Sequence, residues 1–347
     1  MALNYTTLTA LIKEHYLPRL YDQIFTSGHY LGALLKQKAK TYDERKIVVP
    51  LEYGKMSQIA FIARYGSVPL KDEEIATAAE FEPKMLTGSI TLALEDELQS
   101  KSDGAIKKIL DAKFSNLKRS LQEYFANYIW TRGTTVADAN GWNTVDHLVN
   151  AASVTVGGIA AGDYAWWKAN SLTLGSSPYS DDPTVEAELI DPAKDVYLLK
   201  IIQRLIATSR RGTGENPDVI LCPQYIYDLI EGILEEKRRL KMSDRAAALG
   251  VDAIRYRGVD IAADDDMVEN QSGDTDGRMY ALNTKYLYMF FNSGAKFTMT
   301  DWVRPANANY RAALVNAYGN MVVSNRRCQS VATGLASPKT YANPNSV

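Results

Sequence analysis

Apolar positions recur at steps of three and four along residues 104 to 131, where Ile106, Leu110, Phe114, Leu117, Leu121, Tyr124 and Tyr128 make one stripe and Lys107, Lys108, Lys118 and Arg119 fall largely off it. The spacing follows the 3.6-residue turn and predicts a spine helix about 40 Å long, at roughly 1.5 Å per residue. A second amphipathic helix is predicted over 6 to 26 from Leu8, Leu11, Ile12, Leu20 and Ile24, kinked or split at Pro18. A short apolar element, YLGALL, follows at 30 to 35, and then KQKAKTYDERK at 36 to 46, which is charged, short of large apolar side chains and expected to be an extended arm lying on something else.

Period-two alternation marks the strands. KIVVPLEY at 46 to 53, SQIAFIARY at 57 to 65 and TGSITLALE at 87 to 95 read as strands, with Ile90, Leu92 and Leu94 alternating in the last. They suggest a two-stranded excursion whose tip, VPLKDEEIATAAEFEPK, is too long and polar for a tight turn. After Gly133 the pattern weakens. It resumes as a helix over 193 to 209, a strand and helix over 217 to 241, a strand pair over 255 to 267, and two further strands in MYALNTKYLYMFF and AKFTMTDWV. Helices and strands interleave without a repeated β-α period, so the predicted class is α+β with a mixed sheet.

Composition narrows the function. The 347 residues are 46% hydrophobic and 23% charged, with a formal net charge of -2, which argues against a chain whose main task is gripping nucleic acid electrostatically. The charge is uneven: Lys and Arg against Asp and Glu run 7 to 4 over residues 1 to 49, 3 to 9 over 136 to 200, and 5 to 1 over 301 to 347. This places different signs on different surfaces, or reflects ordinary variation in solvated loops. Cys222 and Cys328 are too few for a disulfide framework, MALNYTTLTALIKEHY has no basic-then-apolar signal pattern, and no apolar run approaches the roughly 18 residues of a spanning helix, so the expectation is a soluble chain with no membrane partner.

The motifs of chemistry fail where they are sought. Gly54-Lys55 and Gly212-Thr213-Gly214 lack the remaining elements of a phosphate loop. His15, His29 and His147 have no nucleophile beside them. The acidic groups Asp181, Asp182, Glu186, Glu188 and Asp264 to Asp266 supply carboxylates for a hard cation but no EF-hand register, and read otherwise as solvated loops. Trp166 and Trp167 offer either a stacking platform or a packing anchor. The closing stretch WVRPANANYRAALVNAYGNMVVSNRR, at 302 to 327, is rich in Asn and Arg without any acid, base or nucleophile grouped for catalysis.

An ordered series of segments nevertheless resembles one family. DYAWW at 163 to 167, PDVILCPQYIYDLI, RYRGVDIAADDDM, MYALNTKYLYMFF and, most specifically, AKFTMTDWVRP leading into GNMVVSNRRCQSVATGL are similar to the major capsid proteins of tailed bacteriophages with the Hong Kong 97 type of fold. The resemblance implies an N-terminal arm at 1 to 45, an extended E-loop at 46 to 90, a P-domain at 91 to 149 containing the spine helix, an A-domain at 150 to 270, return strands to the P-domain at 271 to 335, and a tail at 336 to 347. It implies no enzyme and no cofactor or metal, but hexamers and pentamers that close into an icosahedral virion shell, assembled in the host cytoplasm. The implied partners are a separate scaffolding protein, a portal, decoration proteins as an optional addition, and packaged double-stranded DNA held without sequence specificity. Lys55, Arg64, Lys71, Arg304, Arg311, Arg326 and Arg327 are candidate intersubunit contacts, with buried or solvent-facing roles as the alternative. The segment 174 to 195 is longer than the resemblance leads one to expect, and no lysine and asparagine pair is marked for cross-linking. An encapsulin-like cargo shell, and an enzyme with its site near Trp166 and Trp167, are the rival readings.

Overall fold

The structure, a computed structural model, describes residues 30–54, 59, 61–62, 64, 66, 74–95, 103–131, 140–149, 154–175, 178–179, 181–182, 186–211, 214–236, 253–264, 266–267, 277–306 and 308–335. The helix expected over 6 to 26, the tail at 336 to 347, and Lys55 and Lys71 lie outside the described residues.

A five-stranded sheet is organised around β14 (Tyr310–Val323). One edge of β14 pairs antiparallel with β4 (Lys84–Ala93) through ten residues, from Tyr310 opposite Ala93 to Gly319 opposite Lys84. Its other edge takes β13 (Thr298–Met299) and β12 (Leu287–Asn292), and β1 (Lys40–Tyr42) adds parallel to β12. The arm thus finds a partner within its own subunit. Gly319 is needed where β14 meets both neighbours, because a Cβ there would lie 2.2 Å from the Phe290 carbonyl oxygen.

α1 (Tyr30–Gln37) buries Leu31, Leu34 and Leu35 in the main core. The spine is α2 (Asp103–Ile129), which packs on the face of β4 that carries Gly88, Ile90 and Leu92. Gly88 permits the close approach, since a Cβ there would sit 2.8 Å from a Leu117 methyl. Leu110, Phe114 and Leu121 are buried as the stripe predicted, but Tyr124 is exposed and Phe125 and Ile129 are buried in its place. The buried face rotates because the last turns of α2 meet Trp142, whose ring stands edge-on to Phe125 at 6.0 Å.

The six-stranded mixed sheet has the order β7 (Asn170–Thr173), β15 (Ser330–Leu335), β11 (Gly277–Leu282), β8 (Val219–Cys222), β10 (Val259–Ala263), β9 (Ala253–Tyr256). α3 (Val145–Val149) is buried in full, α4 (Glu186–Ile190) is short, and α5 (Leu198–Arg210) and α6 (Gln224–Glu236) cover one side of this sheet. β8 is apolar at every position because both faces are covered: Ile220 and Cys222 join the cluster under α5 and α6, while Val219 and Leu221 join the main core.

Several expectations are corrected. MYALNTKYLYMFF is two strands in different sheets, and β11 and β15 are inner strands of the six-stranded sheet, so residues 271 to 335 do not all return to the five-stranded one. The strand in AKFTMTDWV shrinks to two residues, and the helix expected from 193 begins at Leu198 after turns. β2 (Ile47–Glu52) pairs with β3 (Ala76–Phe81), in the stretch read as polar tip; of 57 to 65, the described residues 59, 61, 62 and 64 are not in a strand. The 255 to 267 pair forms as expected, turning through Arg257 and Gly258, both at positive φ, which suits a two-residue hairpin.

Two short crossings carry the chain between the sheets, at 283–286 and 324–329, and they are joined. The buried Gln329 side chain accepts from Asn283 N–H at 2.8 Å and donates to the Asn283 carbonyl at 3.0 Å, while Ser324 N–H donates to the Tyr286 carbonyl at 2.9 Å. Asp218 accepts from the Thr284 amide at 2.7 Å and from its hydroxyl, which in turn accepts from Lys38 Nζ at 2.7 Å. Gln329→Leu would orphan a buried N–H and C=O, so a loss of about 1–3 kcal/mol is expected in denaturant unfolding. An unchanged midpoint and slope would show that the crossings do not depend on this side chain.

Candidate assembly surfaces

The β2–β3 hairpin is built to project. Ile47, Val49 and Leu51 are buried while Val48, Pro50 and Glu52 are exposed, the alternation of a ribbon covered on one side. Tyr53 and Gly54 N–H both donate to the Ile75 carbonyl, at 3.0 and 3.1 Å, closing the stem. Its covered side rests on a second hairpin, β5 (Thr155–Val156) and β6 (Ile159–Ala160), whose turn glycine Gly157 has φ +61°. Glu80 N–H donates to the Gly157 carbonyl at 2.9 Å, and a Cβ at Gly157 would lie 2.8 Å from Ala79 Cβ and 2.9 Å from Phe81 Cζ.

Aromatic packing completes the anchor. Tyr53 stacks on Trp166 with centroids 4.6 Å apart and planes 13° apart. Trp167 is buried, donates from Nε1 to the Val156 carbonyl at 2.9 Å, and lies under the Arg326 guanidinium at 5.9 Å. The paired tryptophans are packing anchors, with the Trp166 face filled by the chain's own Tyr53. Past the stem, Ile59 is 88% exposed, Phe61 fully exposed and Ile62 half exposed. Large apolar side chains exposed so near one another in sequence make this stretch a candidate contact surface.

The candidate arginines separate by burial. Arg64 and Arg327 are exposed. Arg304 is exposed and braces its own turn, donating from Nε to the Ala308 carbonyl at 3.3 Å and from Nη2 to Asn309 Oδ1 at 3.5 Å. Arg311 is half-buried opposite Leu92 in the β4–β14 register, on the side facing α2. Arg326 corrects its expectation: it is 0% exposed, donates from Nε to the Leu148 carbonyl at 2.8 Å, and is enclosed by its own subunit. Burial pushes its guanidinium down to about 10. Two asparagines of the closing stretch serve the backbone. Asn320 accepts from Asn143 N–H and donates to the Glu82 carbonyl, both at 2.7 Å, and Asn325 caps the 3-10 turn Arg326–Cys328 by accepting from Arg327 N–H at 3.1 Å.

A buried ion pair went unread in the sequence: Arg278 Nη1 donates to Asp146 Oδ1 at 2.6 Å, and the Tyr280 hydroxyl to the same oxygen at 2.9 Å. With Asp146 and Arg278 separated by 132 positions in the sequence, no local pattern announces it. In the acidic segment a lysine sits where a cation was considered. Lys194 Nζ is 3.4 Å from both Asp181 and Glu188, while Asp181 also accepts from Asp195 N–H at 2.7 Å and Glu188 from Asp182 N–H at 2.8 Å. Among the described residues no three His, Cys, Asp or Glu side chains group as metal ligands. Cys222 and Cys328 are buried, and desolvation raises the Cys222 thiol far above its ordinary value.

A scan of protein-family models matches none, and a search of curated proteins finds no relative. Solved structures do match. The capsid asymmetric unit of cyanophage A-1(L) has a TM-score of 0.57 at 14% identity, covering 88% of this chain and 92% of that one. The capsid of the native GTA particle has a TM-score of 0.54 at 10% identity, covering 88% and 90%. The holo-SrpI encapsulin complex from Synechococcus elongatus has a TM-score of 0.50 at 11% identity, covering 97% of each chain. The chain has the Hong Kong 97 type of fold, the α+β fold of shell subunits.

Two outcomes test these surfaces. Gly157→Val forces a side chain into Ala79 and Phe81 at a positive φ, so protease cleavage near residues 54 to 75 is expected to accelerate while α5 and α6 keep their protection; unchanged cleavage would remove Gly157 from the anchor. The Asp181 carboxyl is held below its ordinary value, first by the Asp195 N–H and also by Lys194. A depressed carboxylate stabilises the fold above its unfolded pKa and loses that contribution as pH falls through the folded one, here below about pH 4. Protection of the amides around residues 186–195, taken relative to the intrinsic exchange rate at each pH, is therefore expected to fall under acid, and Asp181→Asn to show the weaker protection already at pH 7.

Proposed function

We propose that this chain is a structural protein, the major capsid protein of a tailed bacteriophage, which assembles itself as hexamers and pentamers into an icosahedral shell around double-stranded DNA. The observation that carries the reading is a Hong Kong 97-type subunit whose anchored hairpin ends in uncovered Ile59 and Phe61. Ordering an arm and a long hairpin costs conformational entropy, which contacts with neighbouring copies offset. In this reading residues 1 to 45 are the arm, 46 to 90 the E-loop, 91 to 149 the P-domain and 150 to 270 the A-domain. The strands of 271 to 335 serve both sheets. Arg64, Arg304, Arg311 and Arg327, with Lys55 and Lys71, are offered to neighbouring subunits. A separate scaffolding protein, a portal and decoration proteins are the further partners, and the virion, assembled in the host cytoplasm, is the location. The role is non-catalytic.

A cargo shell is the second reading, favoured by the likeness to the encapsulin complex over 97% of both chains. Nucleic-acid content separates the two: phage particles formed with portal and packaging partners hold nuclease-protected DNA, and a cargo shell holds protein.

The test of shell building is sedimentation and electron microscopy of the purified chain with and without scaffold. Species far above 38.5 kDa and closed particles are expected, whereas a monomer under every condition would overturn the proposal. Replacing residues 55 to 74 with a short Gly-Ser turn leaves the stem's closing bonds to Ile75 intact. This variant is expected to melt within a few degrees of the parent, since surface changes away from the core move stability little, and to form no closed shells.

A further inference from the structure

Three segments far apart in sequence bring exposed cations to one place. The side-chain amide of Asn170, the first residue of β7, donates to the Arg327 carbonyl at 2.7 Å and to the Thr208 and Gln329 carbonyls at 3.4 Å. It ties together the start of β7, the last turn of α5 and the crossing at 324–329, and Arg211 N–H closes the helix on the same Thr208 carbonyl at 3.1 Å. Lys168, Arg210, Arg211 and Arg327 surround this join, and all four are exposed. None of their side chains has a hydrogen bond, ion pair or ring contact among the described residues. Glu215, beyond Arg211, is taken by Lys285. With exposed Asp163 set against the four cations, three positive charges remain. The dipole of α5 accounts for a cation at its C-terminal end, hence for Arg210 or Arg211, but not for Lys168 and Arg327, which belong to other segments.

We infer that this patch is a contact for the phosphate backbone of duplex DNA, on the inner surface of the shell. The inference rests on the shell-forming reading and names where in the subunit the enclosed DNA touches it. Charge complementarity selects a polyanion. The lack of apolar surface selects nucleic acid over protein: the exposed large apolar side chains among the described residues all lie outside 168–170, 207–216 and 324–329. A protein interface has an apolar core, whereas a nucleic-acid interface is polar and strongly basic. Residue type agrees, since three of the four cations are Arg, whose planar fork takes two phosphate oxygens at once. Spacing agrees as well. Lys168 is two residues from Asn170, about 7 Å of extended chain, so the cations spread over a few phosphates of a strand in which these repeat every 3.4 Å or so along the axis. Contacts of this kind carry no sequence information, and one local patch is compatible with a chain whose net charge is -2. Arg327 then turns to DNA and leaves the set of arginines offered to neighbouring subunits.

Binding of a short DNA duplex to separated subunits, titrated with salt, reads the patch. Each phosphate contact contributes about -0.9 to the slope of log K against log salt, so Lys168→Gln, Arg210→Gln, Arg211→Gln and Arg327→Gln together are expected to reduce the slope by about three to four and to weaken binding about tenfold or more at low salt. Because these side chains touch nothing in their own subunit, the variant is expected to melt like the parent and still close shells. An equal slope in parent and variant, or an equal fall when exposed Arg255 and Arg257 are replaced by Gln instead, would overturn the patch. Modification of arginine by phenylglyoxal, followed by peptide mass in separated subunits, empty shells and DNA-filled particles, reads the partner. Arg210, Arg211 and Arg327 are expected to react in the first two and to lose most of their reactivity in the third. Protection already present in empty shells, with scaffold or without it, would assign the patch to a protein and overturn the inference while leaving shell building intact. Equal reactivity in all three would turn the patch away from DNA, with the same consequence. Absence of any closed particle from the parent chain would overturn the shell reading and this inference together.

Discussion

Everything in the subunit depends on satisfying the backbone of β14 on both of its edges. Its fourteen residues serve β4 on one side and β13 and β12 on the other, and a buried strand left with orphan N–H and C=O groups would lose the free energy that burial supplies. The consequences are local and visible. Gly319 has no side chain because Phe290's carbonyl occupies the space, and small Ala313 and Ala317 face α2 beside Ile90 and Leu86. At its far end the chain must leave one sheet for the other, and Asn325 caps the turn that does so. Gln329 then fastens that exit to the other crossing.

The same constraint, left unmet elsewhere, explains the outer surfaces. Among the described residues β4 pairs with another strand along its inner edge alone, and Ile59 and Phe61 are exposed. Burying a side chain of that kind is worth about 1.5–3 kcal/mol. That is too little to hold two copies together alone, but in the proposed shell it would be repeated at every subunit contact. Weak repeated contacts suit a shell, because subunits that dock wrongly can separate again before closure. For such contacts to select one geometry the tip must be presented at a fixed angle, and Gly157 beneath Phe81 with Tyr53 against Trp166 provides the rigid base.

Buried charge has a separate part. Arg326 and the Asp146–Arg278 pair give up hydration for fixed partners, the Leu148 carbonyl and the Tyr280 hydroxyl among them. Such groups add little net stability compared with apolar packing, yet they penalise alternative arrangements of α3 and the crossings strongly, since misplacement leaves a charge buried and unpartnered. The price of this specificity falls on arginines that a reading by charge alone assigns to the surface.

Local periodicity determined the elements whose surroundings are uniform along their length. The first turns of the spine helix, β2 and α6 were legible because one face of each meets one layer, so the 3.6 or 2.0 period survives in the residues, and the β9–β10 hairpin was legible from its apolar runs on either side of Arg257-Gly258. The ordered segments also carried the fold type. Tertiary structure alone decided the rest. MYALNTKYLYMFF has no internal signal for its change of sheet, because the partners that divide it, Asp218 and Gln329, lie far along the chain. The partner of β2 was misplaced because ATAAEF buries only Ala79 and Phe81, too few apolar positions to mark a strand until Gly157 covers them. Arg326 reads as a surface cation beside Arg327, and only the path of the turn sends one inward and the other to solvent. A sequence records the periodicity of each face; which face meets which neighbour is set by long-range pairing that no single segment contains.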